Sequence, residues 1–116
     1  MLKTELMQLP ITVEQVIVSV NDGSLKGVSF CVYAKKDLGS LSSNQDCFLD
    51  AYPEGDDDRE DVFSVFVTKN KLELIYYGEQ LEDVLTNVLH QHPNATTVDF
   101  VKALNYYMKN DNFMDF

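Results

Sequence analysis

The spacing of apolar residues changes at Gly78, and this change constrains the fold more than any other feature of the chain. After Gly78, apolar residues recur at intervals of three and four, the period of one face of a helix. One predicted helix covers 79–91, and a second runs from a cap at Thr96 or Thr97 to about residue 110. The link of about five residues between them predicts an antiparallel pair. The two predicted inner faces are Leu81, Val84, Leu85, Val88 and Leu89, and Phe100, Val101, Leu104, Tyr107 and Met108.

Before Gly78 the pattern indicates strands separated by polar turns. Thr12-Val-Glu-Gln15 also fits a capping box, so a short helix competes with the first strand. Leucines at helical spacing predict another short helix within residues 1–9. The sequence thus predicts an α+β fold, an antiparallel sheet of about five strands covered on one face by the C-terminal helix pair. The predicted strands are 15–20, 28–34, 46–52, 62–68 and 71–77, the last two forming a hairpin.

The length of 116 residues suits one hydrophobic core, so we expect a single domain over residues 1–116. An apolar content of 45% with 7 Phe and 6 Tyr argues against disorder. The sequence contains no apolar run of about 18 residues and no basic-then-apolar start, which predicts neither a membrane span nor a secretory signal. We therefore expect a cytoplasmic protein in which Cys31 and Cys47 are buried thiols.

The negative charge is concentrated in one segment. The chain carries a formal charge of −10, and residues 54–61, with six carboxylates and Arg59, account for −5. Neighbouring carboxylates repel one another, so we expect this segment to be a solvated loop. An anion of this strength is not expected to bind nucleic acid or an anionic membrane directly. The charge favours a basic protein partner.

Three kinds of chemistry can be weighed against the residues present. His90 and His92 are the histidines that could serve as general base for a catalytic nucleophile. The sequence has no Gly-x-Ser-x-Gly turn to present such a nucleophile. A zinc site built from these histidines with Cys31 and Cys47 would lack a C-x-x-C knuckle. The acidic loop does not have the ligand spacing of a calcium loop. We therefore predict a protein without enzymatic activity, metal, cofactor or small-molecule substrate.

The candidate partner-binding residues fall into two groups. Exposed tyrosines beside carboxylates are typical anchors of protein-recognition surfaces. Of the adjacent pairs Tyr76-Tyr77 and Tyr106-Tyr107, one tyrosine of each is expected to face outward. The first group is Tyr52 with the loop carboxylates Asp56, Asp57, Asp58, Glu60 and Asp61; the competing group on the helices is Glu79, Glu82, Asp83 and Tyr106.

Four motifs stand out in the last third of the chain: Leu81-Glu-Asp-Val84 with Asn87, Gln91-His-Pro-Asn-Ala95, Ala103-Leu-Asn-Tyr-Tyr107 and Asn110-Asp-Asn-Phe113. In these motifs the chain resembles a family of small acidic bacterial immunity proteins of contact-dependent growth inhibition and polymorphic toxin systems. The resemblance implies a protein that binds a cognate toxin C-terminal domain and neutralises it, and the charge favours a basic toxin, a nuclease. One alternative is an acidic decoy that inhibits a host nucleic-acid-binding enzyme, and another is a small metal-binding or enzymatic domain.

Overall fold

The computed structural model describes residues 7–36, 39–54 and 62–115. The described strands form one antiparallel sheet in the order β1-β3-β2-β4. The α+β class and the packed C-terminal helix pair are confirmed, while the sheet contains four described strands in place of about five. The elements are β1 (Ile11–Thr12), α1 (Val13–Asn21), β2 (Cys31–Lys35), β3 (Asp46–Asp50), α2 (Val65–Lys69), β4 (Leu72–Tyr77), α3 (Gly78–Gln91) and α4 (Thr97–Asn110).

The strand predicted over 15–20 is wrong, because this segment belongs to helix α1. Thr12 and Gln15 form the capping box of the alternative interpretation: the Thr12 Oγ1 accepts from the Gln15 N–H at 3.2 Å, and the Gln15 Oε1 accepts from the Thr12 N–H at 2.9 Å. These bonds satisfy N–H groups that a helix start otherwise leaves unpaired. The cap and the burial of Val16 and Ile17 outweigh the strand propensity of the valines.

The strand predicted over 62–68 is also wrong, since residues 65–69 form the short helix α2. Ser64 caps this helix, its Oγ accepting from the Val67 N–H at 3.2 Å. β4 consequently pairs with β2 and not with residues 62–68. The helix predicted within residues 1–9 lies largely outside the described residues, and Met7 forms a single bridge with Leu49.

The main core lies on one face of the sheet, which we call the helix face, where α1, α3 and α4 pack. The apolar stripes predicted for α3 and α4 supply much of it, together with Ala103. The Tyr76 hydroxyl donates to the Leu104 carbonyl at 2.6 Å and so ties α4 to β4. Within the described parts of the chain, each helix falls short of the length and hydropathy needed to cross a membrane.

The opposite face of the sheet, the aromatic face, carries a second and smaller cluster. Cys31, Tyr33, Val67 and Leu72 are buried there, and half-buried rings surround them. A register shift in the β2–β4 pairing leaves Ile75 without a partner, so Ile75 and Tyr76 both pack on the helix face. The half-buried side chains of the aromatic face are Phe48, Tyr52, Phe63, Phe66, Leu74 and Tyr77.

The side chains of the pair Tyr76-Tyr77 lie on opposite faces of the sheet. Tyr76 is buried in the helix-face core, and Tyr77 is half-buried on the aromatic face, so Tyr77 is the more exposed of the two. In the other pair, Tyr106 is 38% exposed and Tyr107 is half-buried, as the helical stripe predicts.

Gly78 fixes the junction between β4 and α3. Its N–H donates to the Phe30 carbonyl at 2.9 Å, and a Cβ at this position would lie 2.6 Å from the same oxygen. Only a residue without a side chain allows the backbone to approach this closely. The first turn of α3 is thereby held against the end of the sheet, next to the aromatic face.

Candidate protein-binding face

Aromatic rings are paired along the aromatic face. Tyr52 stacks on Tyr77, with ring centroids 5.5 Å apart and planes 26° apart. Phe48 meets Phe66 edge to face at a centroid distance of 5.4 Å. The rings in both pairs are half-buried. Rigid rings with one wet side are the groups that protein interfaces use as anchors.

Asp50 at the end of β3 anchors the segment that follows it. Its carboxylate is only 5% exposed and accepts from the Ser64 Oγ at 2.5 Å and from the Ala51 N–H at 2.8 Å. The Tyr33 hydroxyl donates to the Ala51 carbonyl at 2.7 Å. Charge-assisted bonds of this kind are stronger than neutral ones. The exit of β3 and the start of α2 are therefore fixed to each other.

Backbone hydrogen bonds join Glu54 to Val62, the two residues that flank positions 55–61. The Glu54 N–H donates to the Val62 carbonyl at 2.8 Å, and the Val62 N–H donates to the Glu54 carbonyl at 2.6 Å. Along the sequence, Tyr52 precedes Glu54 and Phe63 follows Val62, and both Tyr52 and Phe63 belong to the aromatic face. The predicted loop carboxylates Asp56, Asp57, Asp58, Glu60 and Asp61 lie outside the described residues.

The Tyr52 ring reaches the first turn of α3. Burial raises the pKa of Tyr52, the backbone N–H of Glu79 lowers it, and the negative charges of Glu79 and Glu82 raise it further. The Tyr52 hydroxyl therefore lies at the backbone N–H of Glu79, and Glu82 is near enough to act on it electrostatically; both glutamates come from the other predicted group. We use the name acidic-aromatic face for Tyr52, Tyr77, Glu54, Glu79 and Glu82.

The two remaining predicted residues differ in position. Asp83 is exposed and lies one turn along α3 from Glu79. Tyr106 lies on α4, whose neighbouring residues point elsewhere: the Asn105 side chain bonds both backbone groups of Leu41, and Tyr107 packs against Tyr76. The structure therefore brings Tyr52, Glu79 and Glu82 together and places Tyr106 on another element.

The groups considered for catalysis are separated. Cys31 lies in the aromatic-face cluster and Cys47 in the helix-face core, so the sheet stands between them. Both are free and buried, as predicted, and burial raises the pKa of Cys31 to about 11 and that of Cys47 to about 12. Thiols of this kind remain protonated and are poor nucleophiles at neutral pH.

Neither histidine is joined to a thiol. The His92 Nε2 lies 3.6 Å from the Asp99 Oδ2, and His90 is exposed near the end of α3. Across the described ranges, no three His, Cys, Asp or Glu side chains are grouped so that they could hold a metal ion.

One family model, described as a domain of unknown function (DUF7716), matches residues 10–116. The chain belongs to the DUF7716 family. No curated protein and no solved structure matches this DUF7716 chain. The family description names no activity and no partner.

Sequence reasoning missed three residues that shape the acidic-aromatic face of this DUF7716 protein. Tyr77 is the stacking partner of Tyr52, and the hydrogen bond from Ser64 to Asp50 holds the residue that caps α2 at the end of β3. A signal for Ser64 was present, since serine ahead of a short apolar segment is typical of a helix cap. The sequence carries no local signal for the Tyr52–Tyr77 stack, which depends on how the strands pair.

Proposed function

We propose that this DUF7716 chain is an immunity protein that binds a basic cognate toxin domain, a nuclease, and blocks its active site or the approach of its substrate. The observation that carries the proposal is the stacked Tyr52–Tyr77 pair, with the first turn of α3 at the Tyr52 hydroxyl and the charges of Glu79 and Glu82 acting on it. The resemblance of the last third of the chain to immunity proteins supports the same function.

The composition of the acidic-aromatic face suits a cationic cleft. A nuclease must hold phosphates, so its active site carries lysine and arginine side chains. Carboxylates of this chain would pair with those side chains in place of phosphate, while the Tyr52 ring supplies a rigid apolar contact at low entropic cost. Energetically dominant contacts at interfaces are enriched in tyrosine and arginine and tend to pair with one another across the interface.

The charge also serves the rate of binding. Opposite net charges steer encounter and raise association rate constants toward about 10⁸–10⁹ M⁻¹s⁻¹ at low salt. Residues 54–61 carry half of the net charge of the chain, and this segment begins two positions after Tyr52 in the sequence. Inhibition by occlusion then requires no catalytic group in this chain.

The proposal predicts that the reading frame directly upstream of this one encodes a toxin C-terminal domain, and the experiment uses that domain. Co-expression with the wild-type chain should restore growth, and the purified pair should form a complex. Tyr52→Ala should weaken the complex at least about tenfold, equivalent to 1.4 kcal/mol, because the central ring contact is lost. Glu79→Gln with Glu82→Gln should slow association and flatten its salt dependence, and so should neutralising the five loop carboxylates.

Matched variants exclude an effect of charge alone. Glu14 occupies the first turn of α1 as Glu79 occupies that of α3, and Asp46 is exposed on β3. Glu14→Gln with Asp46→Asn removes the same charge and should leave association nearly unchanged. Tyr52→Phe, which keeps the ring, should retain most of the affinity. The proposal fails if the wild-type chain neither protects nor binds the toxin domain, or if the Glu14/Asp46 variant is impaired as strongly as the Glu79/Glu82 variant.

A further inference from the structure

Among the described residues, no strand pairs with the outer edge of β4. β4 ends the strand order of the sheet, and across the described ranges β2 is the only strand that pairs with it. An edge strand presents unpaired N–H and C=O groups along its outer side, and these can pair with a strand of another chain. β4 is six residues long, sufficient for such an addition.

A groove of about 480 Å³ lies beside this edge on the helix face. Four consecutive residues of the strand, 73–76, line it, which places the groove along the edge. Its other wall is the end of α4, with Tyr107, Met108 and Asp111. Glu73 and Asp111 supply two carboxylates, and the described lining residues include no lysine, arginine or histidine. This helix-side groove favours a cationic side chain.

A second groove, of about 420 Å³, lies beside the same edge on the aromatic face. Its apolar wall is formed by Phe63, Val67 and Leu72. Its charged lining residues are Lys36, Lys71 and Glu73, and Glu73 pairs with Ala34, whose side chain packs on the helix face. This aromatic-side groove favours an apolar side chain and disfavours a cationic one, since like charges brought together oppose binding.

We infer that the β4 edge binds an extended segment of another protein in which basic and apolar residues alternate. Successive side chains of an added strand point to opposite faces of the sheet. Backbone pairing along the edge would supply affinity, and the two grooves would supply specificity for the alternation. The inference goes beyond the proposed function, because neither groove includes a residue of the acidic-aromatic face.

The test uses a fluorescently labelled synthetic peptide, Thr-Lys-Val-Lys-Val-Lys-Val-Thr, and the full chain. The peptide should bind, and it should slow amide hydrogen exchange in residues 72–77. A peptide of the same composition with its lysines and valines in two blocks should bind at least about tenfold more weakly. Replacing the lysines by glutamate should abolish binding.

Charge variants locate the binding on the chain. Glu73→Lys with Asp111→Asn should weaken peptide binding at least about tenfold; asparagine is chosen because Asp111 has a left-handed backbone that asparagine tolerates. Glu14→Lys with Asp46→Asn changes the net charge equally and should bind like the wild type. Thermal unfolding of both variants checks that they are folded.

The inference is overturned if the peptide does not bind at ~1 mM, if the block peptide binds equally, or if exchange in β4 is unchanged on binding. It is also overturned if β4 becomes protected with rising protein concentration alone, since the occupant would then be a second copy of this chain. A Glu73/Asp111 variant that loses the peptide but still protects against the toxin leaves both proposals standing as separate sites. Failure of toxin protection with the peptide result intact would reject the proposed function alone.

Discussion

The two faces of the sheet are built differently. The helix face buries a mainly aliphatic core, with Phe30, Tyr76 and Phe100, under three helices, and central residues such as Leu85 and Leu104 are almost inaccessible to solvent. The aromatic face has four buried residues surrounded by half-buried rings and is covered in part by the five-residue helix α2. The two faces share the strands but not the kind of packing.

This difference indicates how the molecule divides its tasks. Close-packed aliphatic side chains contribute most of the hydrophobic stabilisation of a domain. Half-buried rings next to carboxylates contribute less to folding and keep surface available for a partner. We therefore expect substitutions on the helix face to act mainly on stability, and substitutions on the aromatic face to act mainly on binding.

The strongest test compares Leu104→Ala on the helix face with Phe66→Ala on the aromatic face. Leu104 is 0% exposed, so its truncation leaves a cavity and should lower the free energy of unfolding by about 2–5 kcal/mol. Phe66 is half-buried, so water can fill the space it leaves, and its truncation should cost less than about 2 kcal/mol. Urea denaturation followed by circular dichroism measures both values. An equal or larger loss for Phe66→Ala would show that the aromatic face is part of the main core.

A second comparison concerns two helix caps. Ser64 caps α2 and also donates to the buried Asp50 carboxylate, whereas Thr96 caps α4 in an exposed capping box. Ser64→Ala removes both bonds and should lower the free energy of unfolding by about 1–3 kcal/mol, while Thr96→Ala should lower it by about 1 kcal/mol.

Amide hydrogen exchange should localise the Ser64→Ala effect to residues 64–69, with the helix face protected as in the wild type. If exchange accelerates equally across α3 and α4, the Asp50–Ser64 bond supports the whole fold and the two faces are not separable.

The sequence predicted the C-terminal half of the fold well, for a physical reason. α3 and α4 are each 14 residues long, so a helical period repeats often enough to be distinguished from a strand. The two wrong strands, 15–20 and 62–68, contain short valine-rich helices that begin directly after a capping side chain. Valine favours strands locally, but the caps of Thr12 and Ser64 and the burial of one side of each helix prevailed.

The candidate face was predictable only in part. Tyr52, Glu79 and Glu82 were each selected from exposure and charge, but in two competing groups. Their convergence depends on the pairing of β2 with β4 and on the close approach of Gly78 to Phe30, which are long-range features. The residue pattern within one segment does not predict a contact between segments that are distant in the sequence. The proposed binding edge of β4 escaped prediction for the same reason, because β4 was expected to pair with 62–68.

The smallest expected difference concerns one tyrosine hydroxyl on each face. The Tyr76 hydroxyl donates to the Leu104 carbonyl inside the core, and the Tyr33 hydroxyl donates to the carbonyl of Ala51, an exposed residue. Tyr76→Phe should lower the free energy of unfolding by about 1–1.5 kcal/mol, because water cannot replace the lost donor. Tyr33→Phe should cost about 0.5 kcal/mol, because water can reach Ala51. Paired urea titrations resolve this difference. A larger cost for Tyr33→Phe would mean that the aromatic face excludes water as fully as the helix face, and an interface role for its rings would then lose its physical basis.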